Sequence, residues 1–204
     1  MLTIGLCGGS GSGKNAAQAA FQKLGIPGLD TDALYHRLID GDTPLSRELA
    51  ERFGKKILRA DGGVDRLALR EVVFADGAGE ALADLNAISH RAVLAECRTW
   101  LAAEAEAGAP AAIINAPLLF ESGFHRECDV TVAVIAPHEV RVARIMARDG
   151  LDREAAERRI AAQRDDAYLT AHTDYQLHNG GTEEALCEGV RLLCDRIKTL
   201  TEDK

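Results

Sequence analysis

Aromatic residues are scarce in this chain, 4% of 204 residues. That leaves little for the stacking platforms of a single-strand nucleic-acid binder. Basic charge is also lacking. The formal net charge is −8, so no broad cationic face for duplex nucleic acid is expected, although a local basic pocket remains compatible with it. The five cysteines, at positions 7, 97, 128, 187 and 194, are odd in number and form no CxxC pair. They read as reduced thiols of a cytoplasmic chain rather than as a disulfide framework. No stretch of 18 uncharged apolar residues suggests a membrane span, and the amino-terminus lacks the basic and long apolar segments of a secretory signal. Apolar residues make up 47% and charged residues 27%. These are ordinary globular proportions, which exclude disorder and collagen-like fibre.

Leu2 to Cys7 reads as a short buried strand. Glycines 8, 9, 11 and 13 follow, and then Ala16 to Leu24, with Ala16, Ala20, Phe21 and Leu24 on one helical face. Gly25 and Pro27 stop that helix. A second strand is expected around Ile26 to Leu29, ending at Asp30-Thr31-Asp32. From Ala33 to about Gly108 the pattern is helical, with turns at Asp61-Gly62-Gly63 and Asp76-Gly77-Ala78-Gly79. Ala111–Asn115 and Val130–Ile135 are near-continuous apolar runs, as expected of strands covered on both faces. His138–Arg148 and Arg153–Arg164 read as helices split at Gly150, Tyr175–Leu177 as a last strand, and Glu183–Leu200 as a closing amphipathic helix. Strands alternating with helices predict a three-layer α/β/α domain with five strands, mostly parallel.

Gly8-Gly-Ser-Gly-Ser-Gly13-Lys14 matches G-x-x-x-x-G-K between a strand and a helix. Such a loop needs glycine because its backbone curls in conformations that a Cβ obstructs, turning N–H groups inward. Those groups and the helix N-terminus bind phosphate oxygens, and Lys14 reaches the terminal phosphates. The residue after the lysine is usually Ser or Thr, whose hydroxyl ligates Mg²⁺, but here it is Asn15. An amide oxygen is a hard but neutral donor on a longer arm. Asn15 is therefore expected to be a weak or indirect ligand, with the metal held mainly by phosphates and water.

Asp30 and Asp32 are two apart, which in an extended segment puts both on one face at the carboxyl end of a strand. There a carboxylate orients an attacking hydroxyl or takes its proton. The alternative is a cap for the next helix. Residues 138–164 carry seven arginines against five acids. Arg141, Arg144 and Arg148 form one stripe, either a solvated face or a mobile lid closing over phosphates.

Taken in order, these residues resemble the dephospho-CoA kinase family, from Thr3 to about Thr182. Ile4 to Lys14 resembles the family's opening, and Leu24-Gly-Ile-Pro then Asp30-Thr-Asp32 is similar to its D-A-D. Phe53-Gly-Lys-Lys-Ile-Leu, Asp61-Gly, Asp65-Arg66, Leu69-Arg70 and Val73-Phe74 resemble its helical insert. Leu85-Asn-Ala-Ile-Ser-His90, Pro117-Leu-Leu-Phe-Glu121, the set Arg144, Arg148-Asp149, Arg159 and Gln163, and Asp174 through Asn179-Gly180 complete the series. His36, Arg91 and Asn115 depart from the family's usual Arg, Pro and Asp, as Asn15 and Ala16 do from its loop.

The resemblance implies a P-loop kinase fold with a helical substrate-binding insertion and a helical lid. The core would be residues 1–36 and 108–204, the acceptor insertion 37–107 and the lid 148–165. It implies phosphorylation of the ribose 3′-hydroxyl of dephospho-CoA by ATP with Mg²⁺, the last step of coenzyme A biosynthesis. Asp32, Lys14 and Arg148 would be catalytic. Gly9, Ser10, Gly11, Ser12, Gly13, Lys14, Asn15, Ala16, Arg144 and Asn179 would hold the nucleotide. Asp32, Tyr35, Arg70, His90, Pro117 and Leu118 would face the acceptor, with packing an alternative role for Tyr35 and His90. The expected partner is the small-molecule substrate, without nucleic acid or membrane, for a monomer or weak homo-oligomer. Two alternatives stand beside this reading: a P-loop kinase of another nucleotide-like metabolite, and a degenerate nucleotide or CoA binder without turnover.

Overall fold

The structure is a computed structural model that describes residues 1–75 and 79–202, with side chains described to residue 197. The expected turn at Asp76-Gly77-Ala78 and the apolar side of Leu200 lie outside the described residues and side chains. The chain divides into two compact units, Met1–Asp30 with Ala103–Lys204, and Thr31–Ala102. Among the described residues no helix is long and apolar enough to cross a membrane.

The first unit is built on five strands, β1 (Leu2–Cys7), β2 (Gly28–Asp30), β3 (Ala111–Asn115), β4 (Val130–Ile135) and β5 (Tyr175–His178). Their order is β2-β3-β1-β4-β5 and every pairing is parallel, so the sheet is wholly rather than mostly parallel. Alternation along the strands explains the near-continuous apolar runs. Ile4, Leu6, Ile113, Val132 and Val134 point into one core, shared with Phe21 of helix α1 (Lys14–Lys23) and Leu186, Val190 and Ile197 of α9 (Glu183–Glu202). Residues of opposite parity, Cys7, Ala112, Ile114 and Ala133, are equally buried. Both faces are therefore covered, as a parallel sheet requires.

Helix α1 starts two residues earlier than its apolar periodicity suggests, because Gly13 in left-handed conformation serves as its N-cap. It ends as expected. Gly25 (φ 78°) lets its own N–H reach Gln22 O at 3.0 Å and the Ile26 N–H reach Phe21 O at 3.2 Å. These two bonds make a Schellman end. Strand β2 is shifted towards Asp30 from the expected Ile26–Leu29. Pro27 has no N–H to give a ladder; its carbonyl accepts from Ile113 N at 2.8 Å, and regular pairing runs from Gly28 to Asp30. The helical 138–164 region comprises α6 (His138–Asp149) and α7 (Arg153–Ala161). It stops short of Arg164, because Asp165 caps a further helix, α8 (Asp166–His172), by accepting from Tyr168 N at 2.7 Å.

The second unit holds α2 (Thr31–Leu38), α3 (Pro44–Phe53), α4 (Arg66–Val73) and most of α5 (Ala81–Glu106). Thr43 and Asp65 cap α3 and α4 through side-chain oxygens. Leu45, Leu49, Phe53, Ile57, Val64 and Leu69 form its own core. The turn at Asp61-Gly62-Gly63 closes an isolated antiparallel bridge, Leu58 to Val64.

Candidate active site

The loop from Gly8 to Gly13 leaves β1 at its carboxyl end and enters α1 at Lys14. Gly11 (φ 75°) and Gly13 (φ 90°) adopt positive φ, which favours glycine over residues with a Cβ. Close packing adds a second demand. A Cβ on Gly11 would meet the Arg141 carbonyl oxygen at 2.6 Å, and one on Gly13 would collide with Asn179 Nδ2.

The loop's carbonyls are held from outside. Asn179 Nδ2 donates to Ser12 O at 2.8 Å. Arg144 Nη1 donates to Gly11 O at 3.2 Å and to Asn179 O at 3.0 Å. In a trans peptide the N–H points opposite to the C=O. An outward Ser12 carbonyl therefore directs the Gly13 N–H inward, which is the cradle a phosphate group needs. Lys14 Nζ donates to Gly8 O at 2.8 Å, so the ammonium lies along its own loop. Ser10 N donates to Gln163 Oε1 at 2.6 Å, between α7 and α8.

Two cavities of the first unit meet this loop. One, about 510 Å³, is lined by Gly13, Ala16, Lys23, Arg144 and Asn179. The other, about 460 Å³, is lined by Gly8, Gly9, Pro117, Leu118, Glu121 and Gln163. The loop's glycines are thus shared between a pocket beside α1 and a pocket beside the Pro117–Glu121 segment.

Cys7 sits immediately before the loop. Burial pushes its thiol up to about 12, with Glu121 adding to the rise and Lys14 opposing it. A thiol so raised is a poor nucleophile. Asn15 is exposed at the start of α1, and its Oδ1 accepts from Asn115 Nδ2 at 2.9 Å.

The arginine stripe divides three ways. Arg141 is buried against the loop, Arg144 is half-buried on its carbonyls, and Arg148 is exposed. Arg148 pairs with Asp149 through two bonds of 2.8 Å, which raises the guanidinium pKa and holds the Asp149 carboxyl below its usual range. Arg141 and Gln163 are contacts of the loop that the candidate nucleotide-site set omits. The only sequence signal for Arg141 was its i, i+3 spacing from Arg144.

The other candidates lie in the second unit. Asp32 is exposed in the first turn of α2, Tyr35 is half-buried on the same helix, Arg70 is exposed on α4 and His90 is half-buried on α5. The expected single face for Asp30 and Asp32 does not form. Asp30 ends β2, and the chain turns helical at Thr31, so alternation with period two stops before Asp32.

The sequence model of one protein family, dephospho-CoA kinase, matches residues 2–184. This chain belongs to the dephospho-CoA kinase family. A dephospho-CoA kinase of Anaeromyxobacter dehalogenans is 40% identical over 196 residues, covering 96% of this chain and 92% of its own. Among solved structures, TT1252 from Thermus thermophilus superposes with a TM-score of 0.78 at 33% identity, over 96% of this chain and 97% of that one. Dephospho-CoA kinase from Campylobacter jejuni gives 0.71 at 22% identity, over 98% of each. Membership makes the chain a kinase of the P-loop class, with ATP as the nucleotide.

Proposed function

We propose that this protein transfers the γ-phosphoryl group of ATP to the ribose 3′-hydroxyl of dephospho-CoA, giving ADP and CoA. The observation that carries the reading is the phosphate loop, held by Arg144 and Asn179 with its carbonyls outward between two pockets. In this reading the pocket at Ala16 and Asn179 takes the nucleoside. The pocket at Pro117 and Leu118 lies on the acceptor side.

Phosphoryl transfer asks little covalent chemistry of a protein, so positioning and charge are the main contributions. Loop amides and Lys14 neutralise the phosphates, Lys14 exchanging Gly8 O for a phosphate oxygen. Asp32 orients the acceptor hydroxyl and takes its proton. Arg148 acts from the lid, residues 148–165, after leaving Asp149. The helical insertion, residues 37–107, presents Arg70 and His90 to the acceptor, and Tyr35, on the helix that carries Asp32, lines the acceptor's place beside them.

The donor set fits Mg²⁺ only loosely. Asn15 offers one neutral amide oxygen, and that oxygen already accepts from Asn115. We assign Asn15 as a weak or indirect ligand. When bound, the ion neutralises phosphate charge during transfer. We further propose a cytoplasmic protein, monomeric or weakly self-associating.

Purified protein with ATP, Mg²⁺ and dephospho-CoA should yield ADP and CoA, measured by coupled ADP release and mass detection. AMP or shikimate as acceptor should give no ADP above background. ATP binding without ADP production under these conditions would instead identify a nucleotide binder without turnover.

A further inference from the structure

We infer that Arg141 is a positioning residue for nucleotide binding: it fixes the Ser10–Gly11 peptide of the phosphate loop, and Asp166 holds Arg141 in place. The inference rests on the loop being the ATP site and is independent of the acceptor.

Arg141 lies on α6 with only 4% of its surface exposed. Its Nε donates to Ser10 O at 2.9 Å, and its Nη1 donates to Asp166 Oδ1, at the start of α8, at 3.0 Å. The Ser10 carbonyl therefore points out of the cradle. Peptide planarity then directs the Gly11 N–H the opposite way, to the side where a phosphate oxygen accepts it. Contact continues along the loop. The Arg141 main chain backs directly onto Gly11, and a Cβ on Gly9 would collide with Nη2.

Stability alone does not account for an arginine here. A buried guanidinium carries a desolvation cost that one carboxylate offsets incompletely. Nη2 is buried and finds no hydrogen-bond partner among the described residues, a further cost. An apolar side chain of similar girth would fill the same slot without either. What it would lack is a planar fork with one donor for the loop carbonyl and another for the Asp166 carboxylate. Asp166 sets the rotation of that fork, so α8 is registered to the phosphate loop through one side chain. The contact is distinct from the grip of Arg144 and Asn179, which act on the next two carbonyls.

The test is calorimetric ADP binding by the full chain, which needs no acceptor. Arg141→Met should weaken ADP about tenfold and Asp166→Asn about threefold, as for loss or loosening of one charge-assisted bond. Adding Asp166→Asn to Arg141→Met should weaken ADP no further, because both act through one contact. In turnover, KM for ATP should rise by the same factors with KM for the acceptor unchanged. ADP affinity within twofold of the parent in folded Arg141→Met, or a full additional factor from Asp166→Asn in the double variant, overturns the inference. Should Arg141→Met fail to fold, Asp166→Asn, which preserves volume, decides alone: unchanged ADP affinity overturns it. An unaltered protein that binds ADP but phosphorylates no acceptor refutes the acceptor assignment and leaves this inference standing.

Discussion

Asn115, the last residue of β3, donates through Nδ2 to Asn15 Oδ1 at 2.9 Å, and to Gln18 Oε1 at the same distance. Side-chain amides thereby tie the end of β3 to the first turns of α1. Neither Asn15 nor Asn115 carries negative charge, and the Asn15 oxygen already accepts a hydrogen bond; in the proposed reading this leaves it a weak ligand for a cation.

Asn15→Ser should therefore strengthen metal use. A hydroxyl at this position is short and not drawn towards Asn115, so the Mg²⁺ concentration for half-maximal turnover should fall about threefold or more. Titrating Mg²⁺ at saturating ATP measures it. An unchanged midpoint would remove Asn15 from the metal's surroundings.

Lys14→Ala and Asp32→Asn should separate two kinds of loss. Removing the ammonium withdraws charge from the transferred group, and turnover should fall by about 3 kcal/mol in transition-state terms, roughly a hundredfold. Asp32→Asn keeps shape and loses the proton acceptor. Its turnover should drop while ADP affinity stays within twofold of the parent. Near-normal turnover in that variant excludes Asp32 as the base.

Asn179→Ala should weaken both fold and nucleotide binding. The side chain is 5% exposed and spans from Ser12 O to Arg144. The variant leaves the buried Ser12 carbonyl with only the longer bond from Arg144 Nη1, at 3.4 Å, and an under-satisfied buried acceptor costs about 1–3 kcal/mol. Urea unfolding should show that loss, and ADP titration should show weaker binding, because the Gly13 N–H is no longer held inward.

Cys7 should resist alkylation. Its thiol is pushed up to about 12 by burial, so at pH 8 the reactive thiolate is only about one part in ten thousand. The sign is plain: a raised thiol pKa means less thiolate at any working pH. Iodoacetamide on the folded protein, followed by peptide mass analysis, should leave Cys7 intact while half-exposed Cys187 reacts. Comparable labelling of the two would contradict the buried placement.

The parts of the fold legible in the sequence were those governed by short-range rules. The strand–glycine loop–helix order from Leu2 to Lys23 follows from an apolar run, positive-φ glycines and a helical repeat. Strands β3 and β4 announce burial on both faces by near-continuous apolar runs. Misread boundaries have local causes that are weaker as signals. Pro27 delays β2 by withholding an N–H, and Asp165 starts α8 in a stretch, between Arg164 and Tyr175, for which the sequence pattern predicts no helix. Asp32 was assigned a strand's geometry, yet the chain is already helical at Thr31.

The site divides along the same line. By itself the sequence determined that a phosphate-binding loop exists, that Lys14 follows it, and that Arg141, Arg144 and Arg148 share one stripe of a helix. Only the tertiary structure decided that the first is buried beneath the loop, the second grips its carbonyls and the third faces solvent on Asp149. Helical periodicity sets the angle at which a side chain leaves its helix, whereas its partners depend on segments brought there from far along the chain.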